Sequence, residues 1–431
     1  MISKKKEGVG IQYKTVGGGM EVIFSDVQVK KEELEEVLEK SGLREIVNER
    51  EMPFTKLMED AEIKEILEGV KRIKERSSTL VIVGMGGSSR GAKAVNEAVG
   101  KDNGNLKFID NVDPNLINKV LNELNWEESS FVFISKSGRT LETVTALNLI
   151  LKELKERKLP LGKKCTFIGD AGNLFEDLSK KFGAPFFKVP KEVGGRFSVF
   201  TPVGIFPLAF GGYRVDEFLE GAKEVVREPE EALKLAAAKF IHYKDGRKIS
   251  VAMPYSSFMT EFTEWYVQLW GESLGKNGKG QTPLKAVGTS SQHAILQLFV
   301  DGPDDKFYQL FFVESYEVDP KLPEEVEILP YLSGKRISEV MEAEFLGTLH
   351  ALRSRKRPIV TFKLENLSER ELGRLMMFYM ISVVAMGKLM GVNPYGQPAV
   401  EIGKRVAREI LLKGREDGAG KVQLEGGGGV K

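Results

Sequence analysis

The sequence is short of cysteine, histidine and net charge, and each shortage argues against a class of function. The single cysteine, Cys165, has no partner within the chain, so the fold does not depend on an oxidising compartment. Lys and Arg total 63 against 62 for Asp and Glu, and this net charge of +1 gives no bulk field for nucleic acid or an acidic membrane. The chain has only three histidines, His242, His293 and His350, and their scarcity argues against a three-histidine metal site on most geometries.

Targeting and membrane signals are missing as well. The start, Met1 to Glu7, has no apolar run after its lysines, so no secretory signal is expected. The longest apolar stretch, Leu375 to Met386, is too short to span a bilayer and predicts a buried helix. We therefore predict a cytoplasmic protein without a membrane or nucleic-acid partner.

A chain of 431 residues is too long for one ordinary hydrophobic core, so two domains are expected. Hydrophobic residues make up 42% and charged residues 29%, which is the composition of a globular protein. Short apolar runs alternate with helical patterns, which predicts βαβ units. We expect an α/β fold of two doubly wound parallel-sheet domains, flavodoxin-like in architecture, with a helical C-terminal segment. The expected parts are an N-terminal helical arm at 1–50, a first domain at 51–205, a connector at 206–229, a second domain at 230–400, and a C-terminal helix with a flexible tail at 401–431.

The predicted elements follow from the position of the apolar runs and of the helical periodicity. The predicted strands are 79–83, 105–110, 130–134, 164–168, 186–189, 248–253, 284–287, 307–313 and 358–364. The main predicted helices are 29–43, 141–157, 258–274, 292–299, 338–353 and 369–390.

A glycine-rich loop, Gly84 to Gly91, follows the first of these strands and opens a helix. Backbone N–H groups and the helix dipole make such a position an anion site, and glycine allows close approach. Asp110 ends the next strand, where a dinucleotide-binding fold carries a ribose-binding acid, but Ser89 replaces the third glycine of that motif. Phosphate binding, dinucleotide binding and tight packing all remain open for this loop.

A second loop, Ser135-Lys-Ser-Gly-Arg-Thr140, also follows a strand and opens a helix. It offers three hydroxyls, a lysine and free helix N–H groups, which suit a phosphate monoester, and Thr140 could cap the helix. Alone, a capped helix with a solvated loop explains it better. Because loops after successive parallel strands meet at one edge of a sheet, the pair favours a phosphate site.

Acid–base candidates lie on the helix near 258–274. Glu264, Gln268 and Glu272 share one helix face, which is ordinarily a solvated face. Glu272, beside bulky aromatics near the helix end, is a candidate base. His293 follows another strand-to-helix turn and is a functional candidate or an ordinary surface residue.

Two further segments contribute candidates. Arg196, in Gly194-Gly-Arg-Phe-Ser198, could stabilise an enediolate oxygen or belong to a plain surface turn. The turn Asn393–Pro398 contains Gln397 and leads into a helix with Lys404, which alone indicates a loop and a charged face.

Taken together, these motifs resemble the phosphoglucose isomerase family in its short bacterial form, over about residues 45–410. The resemblance rests on their order along the chain: Gly84–Ser88, Ser135–Thr140, Gly194–Ser198, Gln268–Ser273, Gln292–His293, Asp301–Pro303, and Gln397 with Lys404.

The resemblance implies two sugar-isomerase domains and reversible aldose–ketose isomerisation of glucose 6-phosphate to fructose 6-phosphate, with no cofactor and no metal. It implies that Glu272 moves the proton between C1 and C2, that Arg196 stabilises the enediolate, and that His293 and Lys404 help to open the sugar ring. It also implies a homodimer in which His293 reaches the partner's site. The implied substrate-binding residues are Gly86, Ser88, Ser135, Lys136, Ser137, Thr140, Gln268 and Gln397.

Three alternatives stay open at this stage. A dinucleotide-dependent dehydrogenase would use Gly84–Gly91 and Asp110. A sugar-phosphate sensor on the same fold would bind without catalysis. A related isomerase would also accept mannose 6-phosphate, because discrimination between epimers depends on small differences in pocket shape.

Overall fold

The computed structural model describes residues 13–16, 18–101 and 104–413. In this part of the chain the strands form two sheets. The strands are β1 Tyr13–Val16, β2 Met20–Ile23, β3 Thr79–Val83, β4 Leu106–Ile109, β5 Ser129–Ile134, β6 Cys165–Gly169, β7 Phe186–Lys188, β8 Ile249–Pro254, β9 Thr282–Lys285, β10 Lys306–Val313 and β11 Ile359–Leu364.

Helices cover both sheets and join their strands. They are α1 Lys31–Ser41, α2 Asp60–Lys74, α3 Arg90–Val99, α4 Pro114–Asn122, α5 Leu141–Glu156, α6 Leu161–Lys164, α7 Leu174–Phe182, α8 Pro202–Gly211, α9 Val215–Arg227, α10 Glu230–Lys244, α11 Thr260–Leu274, α12 Gly288–Gln292, α13 Leu296–Asp301, α14 Ile337–Ser354, α15 Glu369–Met390 and α16 Val400–Lys413. Short 3-10 turns lie at Arg44–Ile46, Pro53–Thr55, Gly86–Ser88, Trp126–Glu128, Gly195–Phe197, Ser257–Met259 and Pro330–Leu332.

The first sheet is parallel throughout, in the order β4-β3-β5-β6-β7. Every residue of β5 is buried, as expected for a central strand covered on both faces. Since β3 is the first strand of this sheet in the chain, the strand order reverses between β3 and β5. Ligands bind at such a reversal in open parallel sheets, outside the carboxyl ends of the strands.

The second sheet has the order β1-β2-β11-β10-β8-β9. Strands β9, β8, β10 and β11 are parallel, whereas β2 pairs antiparallel with β11 and β1 pairs antiparallel with β2. The parallel part therefore repeats the connectivity of the first sheet. The predicted α/β class with parallel sheets and a helical C-terminal segment is confirmed.

The predicted strands all occur, most of them within two residues of the expected bounds, and α15 begins and ends where the sequence indicated. The predicted helix at 292–299 is wrong as a single helix, because residues 293–295 separate α12 from α13. The N-terminal arm is not only helical: the hairpin β1–β2 precedes α1 and extends the second sheet. The predicted flexible tail at 414–431 lies outside the described residues.

The described residues up to Pro394 form one compact unit, and those from Tyr395 to Lys413 form a second, which contains α16. The division of 51–400 into two domains stays a prediction. One helix of the described chain, α15, is long and apolar enough to cross a membrane, and 89% of its apolar window is buried inside the fold. This burial agrees with the buried helix that the sequence predicts over Leu375 to Met386.

Candidate active site

The glycine-rich turn after β3 touches two other segments that carry predicted site residues. Gly86 has a left-handed backbone (φ 53°), and a Cβ there would lie 2.6 Å from Nε2 of Gln268. A Cβ on Gly87 would lie 2.3 Å from the carbonyl carbon of Gly195. The absence of side chains thus lets the turn approach α11 and the 195–196 backbone closely.

The carboxylate of Glu272 sits between two donors near the end of α11. Nη1 of Arg196 lies 3.3 Å from Oε2, and Nε2 of Gln268 donates to Oε1 at 3.2 Å. About a third of the Glu272 side chain is exposed (33%), which leaves it accessible to a ligand. The predicted base, the predicted arginine and the predicted amide therefore form one cluster.

Arg196 is held in place by its other contacts. Its Nε donates to the hydroxyl of Ser273 at 2.7 Å, and Nη2 donates to the carbonyl of Pro394. The side chain is 3% exposed, so the guanidinium is a fixed, desolvated cation beside the carboxylate of Glu272.

Lys276 adds a second cation that the sequence analysis missed. Its ammonium donates to the carbonyl of Asn393, and burial together with the nearby Arg196 lowers the pKa of Lys276 to about 8, although Glu272 opposes the shift. Its position four residues after Glu272 was no clear signal, because α11 ends at Leu274 and Lys276 lies beyond the helix. Ser273 was missed too, since a serine following a candidate base carries no distinct pattern.

The hydroxyl loop after β5 is folded back on itself. The hydroxyls of Ser135 and Thr140 lie 2.8 Å apart, and the backbone N–H of Arg139 donates to the hydroxyl of Ser137 at 3.2 Å. Thr140 occupies the N-cap position of α5, but its side chain does not cap the helix, contrary to expectation. The first-turn N–H groups of α5 therefore remain available to an anion.

The ammonium of Lys136 is hydrogen-bonded to backbone carbonyls and does not point into open space. Its ammonium donates to the carbonyls of Lys191 at 2.6 Å and Val193 at 2.9 Å. These carbonyls precede Gly194, where the segment that carries Arg196 begins. Lys136 therefore ties the hydroxyl loop to that segment.

The two loops and the Glu272 cluster lie at one edge of the first sheet. Strands β3 and β5 are neighbours, and a Cβ on Gly84 would lie 3.1 Å from the carbonyl oxygen of Ile134 and 2.9 Å from Cβ of Ser88. The glycine turn in turn contacts Gln268 and the 195–196 backbone. Seven predicted residues thus share this edge with Lys136 and the exposed Ser137: Gly86, Ser88, Ser135, Thr140, Arg196, Gln268 and Glu272.

The remaining three predicted residues belong to segments not described so far. His293 follows α12 and is exposed, and no side-chain hydrogen bond joins it to another described residue. Gln397 and Lys404 belong to the second unit, where the ammonium of Lys404 donates to Glu401 at 2.7 Å. The roles expected for these three stay predictions.

Asp110, the acid needed by the dinucleotide alternative, is already paired. The ammonium of Lys93 lies 3.0 Å from Asp110 and 3.1 Å from Glu261. A ribose hydroxyl would have to compete with this partly buried ion pair, so the geometry argues against dinucleotide binding at the glycine turn.

The sequence is similar to that of known proteins over most of its length. The family model described as "Phosphoglucose isomerase" matches residues 56–312 and 331–422. A probable glucose-6-phosphate isomerase of Methanococcus maripaludis is 36% identical over 355 residues, covering 79% of this chain and 80% of the relative. A glucose-6-phosphate isomerase of Campylobacter jejuni is 34% identical, covering 78% of this chain and 86% of the relative.

Solved structures agree with the fold. A hypothetical protein from Thermus thermophilus superposes with a TM-score of 0.83 at 30% identity, covering 92% of this chain and all of its own. A glucose-6-phosphate isomerase from Chlamydia trachomatis superposes with a TM-score of 0.81 at 23% identity, covering 93% of this chain and 90% of its own. The second likeness bears on the fold alone.

Proposed function

The chain belongs to the phosphoglucose isomerase family, so it interconverts glucose 6-phosphate and fructose 6-phosphate, and we propose that Glu272 is the base that moves the proton between C1 and C2. The observation that carries this assignment is the placement of its accessible carboxylate between Arg196 and Gln268. A base must lie within hydrogen-bond reach of the carbon-bound proton, and an accessible carboxylate at the sheet edge is open to such an approach.

Arg196 stabilises the charge that develops when the proton leaves. Removing a proton from C2 of the aldose pushes electrons onto the C1 oxygen and forms an enediolate. The guanidinium is buried and held by Ser273 and Pro394, so it needs little reorganisation to meet that oxygen. The proton on the C2 oxygen passes to the C1 oxygen, and Glu272 returns the carbon-bound proton to C1 as the C2 carbonyl forms, which completes the ketose.

The phosphate binds at the hydroxyl loop. Ser135, Ser137 and Thr140 supply hydroxyls, and the uncapped start of α5 supplies backbone N–H groups together with the positive end of the helix dipole. Binding energy from this non-reacting group positions the reacting carbons against Glu272. Gly86, Ser88 and Gln268 line the sugar part of the site, and Gln397 is assigned to substrate binding from the resemblance alone.

Ring opening is assigned to His293 and Lys404, and the homodimer supplies His293 to the partner's site. In favour of the dimer, His293 is exposed and has no partner side chain among the described residues. Exposed apolar side chains occur between β10 and α14 and on α13 and α14, as at an interface that a second copy covers: Leu298, Val318, Ile328, Leu329, Tyr331 and Leu346. We also place the protein in the cytoplasm, in keeping with its one buried cysteine.

Glu272→Gln tests the base. The amide keeps the shape of the side chain but cannot take up the proton, so kcat falls by about 10²–10⁴-fold or more while the protein folds and binds substrate. Isomerisation is followed by coupled assay and binding by calorimetry. Near-normal turnover in this variant would overturn the assignment.

The double variant Ser135→Ala, Thr140→Ala tests the phosphate loop. It mainly raises KM, because the loop holds a group that does not react. A fall in kcat with unchanged affinity would mean that the loop does not hold the phosphate.

Complementation tests the shared site. When Glu272→Gln and His293→Ala chains are mixed and allowed to exchange, half of the dimers are hybrids, and one of their two sites has both native residues. The mixture recovers about a quarter of wild-type activity, given a two-fold symmetric dimer. Activity no greater than the mean of the separate variants would place His293 in its own chain's site or outside catalysis.

A further inference from the structure

The ammonium of Lys136 already donates to two backbone carbonyls, so it is not free to bind a phosphate. If Lys136 were the only basic residue of the hydroxyl loop, the loop would offer no free cation. Both carbonyls that Lys136 contacts lie within ordinary hydrogen-bond distance, and they connect the loop to the segment that leads to Arg196. Turning the ammonium towards a phosphate would break both bonds and release that segment. A phosphate dianion is nevertheless bound best by charged donors.

Arg139 is the other cation on this loop. Its side chain is exposed, and its guanidinium forms no hydrogen bond or ion pair with any residue that the structure describes. It lines a cavity of about 340 Å³ between the loop and the 170–174 turn, together with Lys136 and Ser137. This is the outer cavity. Asp170 and Asp177 line the same cavity, so it is unsuited to a dianion, yet neither carboxylate pairs with Arg139.

We propose that Arg139 is a substrate-binding residue, whose guanidinium turns from this outer cavity onto the phosphate held by Ser135 and Thr140, while Lys136 acts as a structural tie. Arg139 directly precedes Thr140, and its backbone N–H is already fixed by Ser137. The long side chain is therefore anchored beside the phosphate position and loses no existing partner when it moves. The inference rests on the proposed phosphate-binding role of the loop.

Arginine suits this task better than lysine. Its planar guanidinium presents parallel N–H groups that match two phosphate oxygens, whereas an ammonium binds as a point charge. Arg139→Lys should therefore retain part of the effect, and Arg139→Ala none of it.

The experiment measures kcat and KM for glucose 6-phosphate, and the inhibition constant of inorganic phosphate, for wild type, Arg139→Ala and Arg139→Lys at low and high salt. Lys155→Ala is the matched control: it removes one exposed positive charge at the far end of α5, about 20 Å from Arg139 by helix rise. Arg139→Ala raises KM and the phosphate inhibition constant together by about tenfold, leaves kcat within about twofold, and weakens the salt dependence of kcat/KM.

If both constants stay within about twofold of wild type, or change equally in Lys155→Ala, the proposal is overturned. The double variant Ser135→Ala, Thr140→Ala separates this outcome from failure of the loop assignment. A raised KM in the double variant with an unchanged KM in Arg139→Ala rejects only the role of Arg139. An unchanged KM in both rejects the phosphate loop itself.

Discussion

Ser273→Ala tests whether catalysis depends on how Arg196 is anchored. The serine hydroxyl accepts from Nε of Arg196 at 2.7 Å, and the two residues are 0% and 5% exposed. Alanine removes the acceptor and leaves a buried, charged donor without it. A hydrogen bond to a charged group contributes about 1.5–3 kcal/mol, and most of that is lost here because water does not replace the hydroxyl.

The loss should appear mainly in kcat. In the proposed mechanism, Arg196 contributes most when the enediolate oxygen becomes negative. A displaced guanidinium therefore stabilises the transition state less, and affects the substrate complex little. The interaction energy converts to a fall in kcat of about 10- to 100-fold, with KM changed by less than about threefold. Production of glucose 6-phosphate from fructose 6-phosphate, coupled to NADP reduction by a dehydrogenase, measures both constants.

Ser382→Ala is the matched control. Ser382 is also fully buried, on α15, but its hydroxyl has no hydrogen-bond partner among the residues that the structure describes. Its removal should leave kcat unchanged. If Ser273→Ala and Ser382→Ala behave alike, with both variants folded by circular dichroism, then the position of Arg196 does not depend on Ser273 and the reasoning fails.

Three further outcomes are expected. Gly87→Ala places a Cβ 2.3 Å from the backbone of Gly195 and lowers kcat/KM by about 100-fold or more, whereas Gly195→Ala, with open space around its Cβ, stays near wild type. Burial raises the pKa of the Cys165 thiol to about 12, so a thiol reagent labels the protein only as fast as it unfolds, and rapid labelling of native protein would contradict this. Burial lowers the pKa of Lys239 well below 10.5, so the free energy of unfolding falls as the pH drops from about 10.5 towards the folded-state pKa. In urea titrations Lys239→Met shows a smaller fall over the same range, and an equal fall would contradict the cause.

The parts of the fold that could be predicted are those with a local signal. Apolar β-branched runs marked β3, β5 and β10, and continuous helical periodicity marked α15. The hairpin β1–β2 was missed because its strands are four residues each and because β2 pairs with β11, more than 300 residues along the chain. Such long-range pairing leaves no trace in local periodicity.

The site residues likewise divide into those with a local sequence signal and those without one. Gln268 and Glu272 were placed together because a spacing of four residues puts them on one helix face. The bonds that arrange the site are tertiary: Ser273 to Arg196, and Lys136 to the 191 and 193 carbonyls. The sequence suggested Lys136 as a phosphate contact, since only the folded chain reveals which acceptor an ammonium meets.

The proposed base and the proposed phosphate loop belong to different sheets, so the way in which the sheets are joined would set the length of substrate that can reach both. Glu272 is carried by a helix of the second sheet, and the hydroxyl loop extends from the first. The glycine turn of the first sheet meets this helix tightly, with Gly86 against Gln268, so the gap cannot close by much. A pentose 5-phosphate, one carbon shorter, would hold its carbonyl end more than about 1 Å short of the carboxylate, a displacement that costs on the order of 100-fold in rate. Selectivity for chain length would then be a property of how two sheets are joined, with no side chain needed to exclude the shorter sugar.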